Sequence, residues 1–150
     1  ELAAEKEAFV VPTMATIFAL KELGPEQGVP DVSMQKLYSV IDHALTGLEV
    51  MKRAGVQMGF GTDLLGEMHT RQCTEFTIRS EVLEPIDILR SATSVNAKLL
   101  GKEGQLGCIK PGAFADLLVV DGNPIEDIHL LAANGEKLST IMADGKLIKH

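Results

Sequence analysis

The feature that most constrains this chain is a long amphipathic stripe that runs straight into an apolar strand. Leu37, Val40, Ile41, Ala44, Leu45, Leu48 and Met51 recur at three- and four-residue steps, the period of one helix face. Ser33 stands where an N-cap belongs, and Gly55 follows Lys52-Arg53 as a stop. Gly55 leads directly into residues 56–61, Val-Gln-Met-Gly-Phe-Gly, which read as a fully buried strand. Upstream, Phe9, Val10 and Val11 form a second short apolar run that ends at Pro12-Thr13, a pattern typical of strands buried on both faces. Between that run and the helix, residues 15–30 carry Gly24-Pro25 and Gly28-Val29-Pro30 and read as loop. Strand, excursion, helix, strand is the alternation of parallel α/β sheets and barrels. The chain is therefore predicted to be α/β, with two parallel strands near residues 8–13 and 56–61.

Further on, helical periods return over residues 72–83, 85–89 and 94–100, with Pro85 in a first turn, where its missing N–H costs nothing. After Gly101 the punctuation changes. Pro111-Gly112 and Gly122-Asn123-Pro124 are turns, residues 115–120 are an apolar strand, and Asp144-Gly145 is the dipeptide that a type I′ hairpin favours. Residues 105–149 are predicted to be mainly strand, with a helical turn at Glu126-Asp127-Ile128-His129. This divides the chain into residues 1–104 and a strand-rich unit, 105–150.

Charge narrows the partners. Lys and Arg number 14 against 21 Asp and Glu, a net charge of −7, and no basic block interrupts the balance. Nucleic acid and anionic membrane surfaces are poor partners for such a chain. No stretch is apolar for long enough to span a bilayer. The two cysteines, Cys73 and Cys108, lie far apart with no metal-binding spacing, so a reducing cytoplasm is the expected setting and Cys73 is read as packing.

One residue stands out chemically. Asp63 lies just past the apolar run, where the carboxyl ends of parallel strands face a ligand crevice. Two readings are open: a catalytic carboxylate, or a side chain that caps the following turn. His69, further along the same loop, is a candidate for substrate contact, against a solvated or helix-capping histidine. Glu67 and Arg71 flank it and read as a solvated pair. His43 falls off the helical stripe and reads as surface, and His129 and His150 read as structural or solvated.

Four stretches, taken in order, resemble the carboxyl-terminal part of the metal-dependent amidohydrolases, and among them the imidazolonepropionase-like and prolidase-like (Xaa-Pro dipeptidase-type) group. They are AGVQMGFGTDLLGEMH with Glu75-Phe76, LRSATSVNAKLLG, GQLGCIKPGAFADLLVVDGNPIEDI and IMADGKLIK. The resemblance implies the last part of a (β/α)8 barrel, with Phe9 to Thr13 as its seventh strand and residues 56–61 as its eighth. It also implies the carboxyl-terminal strands of a flanking β-sandwich. Such barrels carry one or two divalent metals, usually zinc. Their ligands are a His-x-His pair after the first strand, commonly a carboxylated Lys after the fourth, His after the fifth and sixth, and an Asp after the eighth. Only the Asp has a counterpart here, and it is Asp63, which the resemblance makes both a metal ligand and the base acting on the metal-bound water. A carboxylate in that role is worth roughly 10²- to 10⁴-fold in rate.

The implied activity is hydrolysis of a C–N bond in a small amide or dipeptide. The histidines include no His-x-His, and a complete barrel needs about 250 residues where this chain has 150. The chain alone is expected to hold little or no metal and to be inactive, its site being completed by the rest of the barrel. A homo-oligomer is compatible with this. The alternative is a subunit or binding module with an incomplete barrel and no catalysis of its own.

Overall fold

A computed structural model describes residues 1–26 and 28–150. A short helix α1 (Leu2–Glu5) leads to strand β1 (Phe9–Val10), then to helices α2 (Met14–Leu23) and α3 (Asp31–Arg53) and strand β2 (Gln57–Met58). The two strands pair in parallel, Phe9 with Gln57 and Val10 with Met58, and the Gly59 N–H extends the ladder to the Val10 carbonyl at 2.9 Å. The predicted parallel pair is present but shorter than residues 8–13 and 56–61. Pro12 offers no N–H to continue β1, and on the far edge of β2 the backbone groups of Phe60 meet a side chain, Asn96, in place of a further strand.

Helix α3 begins at Asp31, not at a Ser33 cap. Pro30, at φ −59 and ψ 144, sets the entry, and the N–H groups of Ser33 and Met34 both donate to its carbonyl. Asp31 in the first turn and Lys52 and Arg53 in the last complement the helix dipole. Gly55, at φ 68, then turns the chain back into β2.

Helix α2 is a correction, since residues 15–30 read as loop. The Gly and Pro punctuation begins only at Gly24, and Ile17, Phe18, Leu20 and Leu23 are apolar around most of the helix because α2 packs against both α3 and α4. A helix with apolar residues on most sides shows no stripe.

A 3₁₀ helix (Gly66–Arg71) and α4 (Thr74–Ser80) follow, and α4 is shorter than the predicted 72–83. Helix α5 (Pro85–Arg90) continues through a π turn (Ser91–Val95) into α6 (Asn96–Leu99), so the two predicted helices are one rod with an extra residue wound into it.

Beyond α6, strands β3 (Leu117–Val120), β4 (Leu138–Ala143) and β5 (Lys146–Lys149) form an antiparallel sheet in the order β3-β4-β5. The β4–β5 turn has Asp144 at φ 49 and Gly145 at φ 73, the double positive φ of a type I′ turn. Strand does not dominate residues 105–149 as predicted, because turns and a 3₁₀ helix (Ile128–Leu131) separate β3 from β4. Asp127 caps that helix by accepting the His129 N–H at 3.0 Å, and Ile128, 2% exposed, packs among Leu48, Leu83 and Ile88. Burying each such side chain contributes about 1.5–3 kcal/mol. Met58, Phe60 and Phe76 pack on the same cluster, which thereby supports the end of β2. No helix among the described residues is long and apolar enough to cross a membrane.

Candidate active site

The chain leaves β2 through Phe60, Gly61 and Thr62 and presents Asp63 at φ 53, a left-handed conformation that Asp and Asn tolerate better than other side chains. Gly61 fits the approach to β1, because a Cβ there would lie 2.8 Å from Val11 Cγ1. Leu64, 4% exposed, anchors the far side of the turn among Ala15, Ala19 and Met68. Asp63 itself is exposed, and among the described residues its carboxylate accepts no hydrogen bond and joins no ion pair. The next helical turn has Leu65 as its N-cap, with no side-chain cap. The geometry therefore displays a capping role for Asp63 nowhere in the turn, and leaves a carboxylate at the carboxyl end of a parallel strand.

Beneath this turn lies a buried ion pair that the sequence did not disclose. Glu75 and Arg79 on α4 are both 0% exposed, with Arg79 Nε 2.6 Å from Glu75 Oε1. Glu75 Oε2 accepts the Ala15 N–H at 2.6 Å, with the Met14 amide beside it, at the positive end of α2. Arg79 donates to the Pro12 carbonyl at 3.3 Å and to Ser91 Oγ at 3.4 Å, and its guanidinium lies 4.8 Å from the centre of the Phe60 ring. One pair thus joins the end of β1, the start of α2, the end of β2 and the π turn. Burial pushes the Glu75 carboxyl up, against the pull of Arg79 and the two amides. One sequence signal existed: Glu75 and Arg79 stand four residues apart, the spacing of an ion pair on one helix face.

Residues 1–148 match the amidohydrolase family. The chain belongs to that family. Among solved relatives of this amidohydrolase chain, a prolidase complexed with N-methylphosphonate-L-proline is 49% identical at a TM-score of 0.94, over 99% of this chain and 36% of that one. A Xaa-Pro dipeptidase with bound methionine in its active site is 32% identical at a TM-score of 0.86, again over 99% and 36%. The ochratoxinase of Aspergillus niger is 27% identical over 150 residues, 99% of this chain and 31% of that protein. The chain thus spans about a third of the length of these relatives, and its α/β fold matches their carboxyl-terminal part.

The other candidate residues of this amidohydrolase chain are scattered. His69 is exposed on the 3₁₀ helix Gly66–Arg71, which makes it reachable but places no partner on it. Arg71 pairs with Glu22 of α2 at 3.0 Å, with both side chains about half exposed, and Glu67 is exposed. His43 is exposed on α3, its Nδ1 2.9 Å from the Ser39 carbonyl. Cys73 is half-buried, and burial pushes its thiol up, in line with packing and not with a nucleophile.

The family generally depends on a metal, and these residues do not by themselves fit one. Among the described residues no group of three or more His, Cys, Asp or Glu could hold an ion. Asp63 is a suitable donor in type and exposure, but a catalytic zinc needs about three protein ligands.

Proposed function

We propose that this chain supplies the closing part of a metal-dependent amidohydrolase of the prolidase type, hydrolysing the C–N bond of an Xaa-Pro or related dipeptide or small amide. In this reading residues 1–104 are the end of the barrel, residues 105–150 belong to the flanking β-sandwich, and Asp63 is the general base. Asp63 would be the one residue of these 150 to hold the metal, zinc first among the choices, which when bound would polarise the water and the scissile carbonyl. Water attacks the scissile carbonyl carbon and its proton passes to the Asp63 carboxylate. That proton then goes to the leaving nitrogen as the C–N bond breaks, giving a carboxylic acid and an amine. His69 contacts the substrate from the rim. The cytoplasm is the proposed compartment.

The observation that carries this reading is the unpartnered carboxylate of Asp63 at the carboxyl end of β2, held between two anchored residues. The likeness to a prolidase and a Xaa-Pro dipeptidase over 99% of the chain supports the substrate class. The test is Asp63→Asn in the full-length, metal-loaded enzyme assayed on Xaa-Pro dipeptides. Asn keeps the volume, one acceptor and the tolerance for positive φ but takes no proton. Turnover should fall by at least about 10²-fold with the fold retained. Near wild-type kcat would remove Asp63 from the mechanism.

A further inference from the structure

We infer that Asn96 is a positioning residue for Asp63, acting through the backbone of Phe60. This inference rests on the reading of Asp63 as the general base. In a parallel strand the N–H and C=O of successive residues alternate between its two edges. The Gly59 N–H goes to Val10 on β1, so the polar groups of Phe60 face the opposite edge. Both are met there by one side chain: the Phe60 N–H donates to Asn96 Oδ1 at 2.9 Å, and Asn96 Nδ2 donates to the Phe60 carbonyl at 2.9 Å. A carboxamide carries donor and acceptor side by side, as the peptide group of a neighbouring strand does, and here it replaces one.

Two further features are built around this contact. Gly59 leaves the space it needs, since a Cβ at that position would lie 2.8 Å from Asn96 Oδ1 and 3.0 Å from Leu99 Cδ1. The π turn Ser91–Val95 ends immediately before Asn96, and its extra residue sets the rotation at which Asn96 meets β2. No side chain or backbone group among the described residues hydrogen-bonds the stretch between Phe60 and Leu64. The direction of the Asp63 turn is therefore decided at its two ends, by Asn96 on Phe60 and by the packing of Leu64. A shift of about 1 Å at a reacting group can cost on the order of 10²-fold in rate.

The experiment uses the full-length, metal-loaded enzyme and four forms: wild type, Asn96→Asp, Gly59→Ala and Asp63→Asn. Measured on each are kcat and KM across pH, bound metal, the unfolding midpoint, and amide hydrogen exchange of peptides covering residues 59–64. Asn96→Asp keeps an acceptor for the Phe60 N–H but loses the donor to its carbonyl. It is expected to lower kcat by about 10- to 10²-fold with KM little changed, and to speed exchange at 59–64. Its kcat relative to wild type should rise as pH falls through the carboxylate range, because the introduced carboxyl, once protonated, again offers a donor. Gly59→Ala displaces the amide without removing it, and should lower kcat similarly with no such recovery. A loss in Asp63→Asn together with wild-type kcat and exchange in both Asn96→Asp and Gly59→Ala overturns the role of Asn96 alone. Wild-type kcat in Asp63→Asn overturns the reading of Asp63, and with it the catalytic consequence assigned to Asn96. Should Asn96→Asp fail to fold, Gly59→Ala decides the matter by the same readouts.

Discussion

Asp63, on the turn after β2, and Glu75, on α4, are both carboxylates, and their surroundings give them opposite duties. Asp63 is exposed, unpartnered and at φ 53. A β-branched residue there would meet the full left-handed penalty of about 1–2 kcal/mol, so Asp63→Val should lower stability by that amount in urea unfolding, while Asp63→Gly should not. Equal stabilities would mean that the turn relaxes out of its positive φ. Glu75 is fully buried against Arg79, and removing one member of a buried pair leaves the other charge unmatched at a cost of about 3–5 kcal/mol. Arg79→Met should therefore destabilise more than the double change Glu75→Leu with Arg79→Met. A double variant no more stable than the single would show that the pair is not coupled. The sign of the pH effect follows from burial. The folded pKa of Glu75 lies above its ordinary value of 4.5, so the folded state holds the proton more tightly. Its contribution is full below that ordinary value and is lost as pH rises through the raised one. Unfolding free energy followed across this window should fall with pH through the Glu75 contribution, and Glu75→Gln should remove that part of the slope.

At the scale of elements, legibility tracked punctuation and period. Helix α3 could be read because its stripe is one-sided and Gly55 ends it, although Pro30 and not Ser33 starts it. Helix α2 could not, since packing on two sides erases the stripe. The π turn left no trace, because one extra residue between two helical patterns looks like a break. In the candidate site, Asp63 was legible as a polar residue closing an apolar run. Asn96 was not, because its partners are the backbone groups of Phe60, and of the Glu75–Arg79 pair only the four-residue spacing was, since the Ala15 N–H, the Pro12 carbonyl and the Phe60 ring come near it only on folding. The β4–β5 turn was legible to the residue, as Asp144-Gly145 is chemistry that a type I′ turn demands. Gly145→Ala, at φ 73, should cost about 1 kcal/mol and lower the unfolding midpoint, whereas Asp144→Asn should be nearly silent at its φ of 49. Equal effects of the two would show that the turn type is not what holds the hairpin.

For the molecule as a whole, the surfaces that remain open and the donors that are scattered point the same way. Large apolar side chains stand open on this chain: Val11, just past β1, is 39% exposed, and Val40 and Val50 on α3 are each 49% exposed. Relatives in which the same fold occupies 36% of the chain have further protein to place against such surfaces. The metal is expected to follow this logic. A zinc that stays through dialysis needs about three protein ligands held at about 2 Å, and no group of three His, Cys, Asp or Glu is so placed among the described residues. Asp63 brings one carboxylate, His43 sits against Ser39, and Cys73 is half-buried with its thiol pushed up, which disfavours the thiolate that zinc would bind. The isolated 150-residue chain should therefore hold well under one equivalent of zinc after dialysis, measured by elemental analysis, and the full-length enzyme at least one. Asp63→Asn in the full-length enzyme should keep most of that metal, because it removes one donor of several. Stoichiometric zinc in the isolated chain would place the remaining ligands within it, and the view of Asp63 as one donor to a site completed from elsewhere would have to be given up.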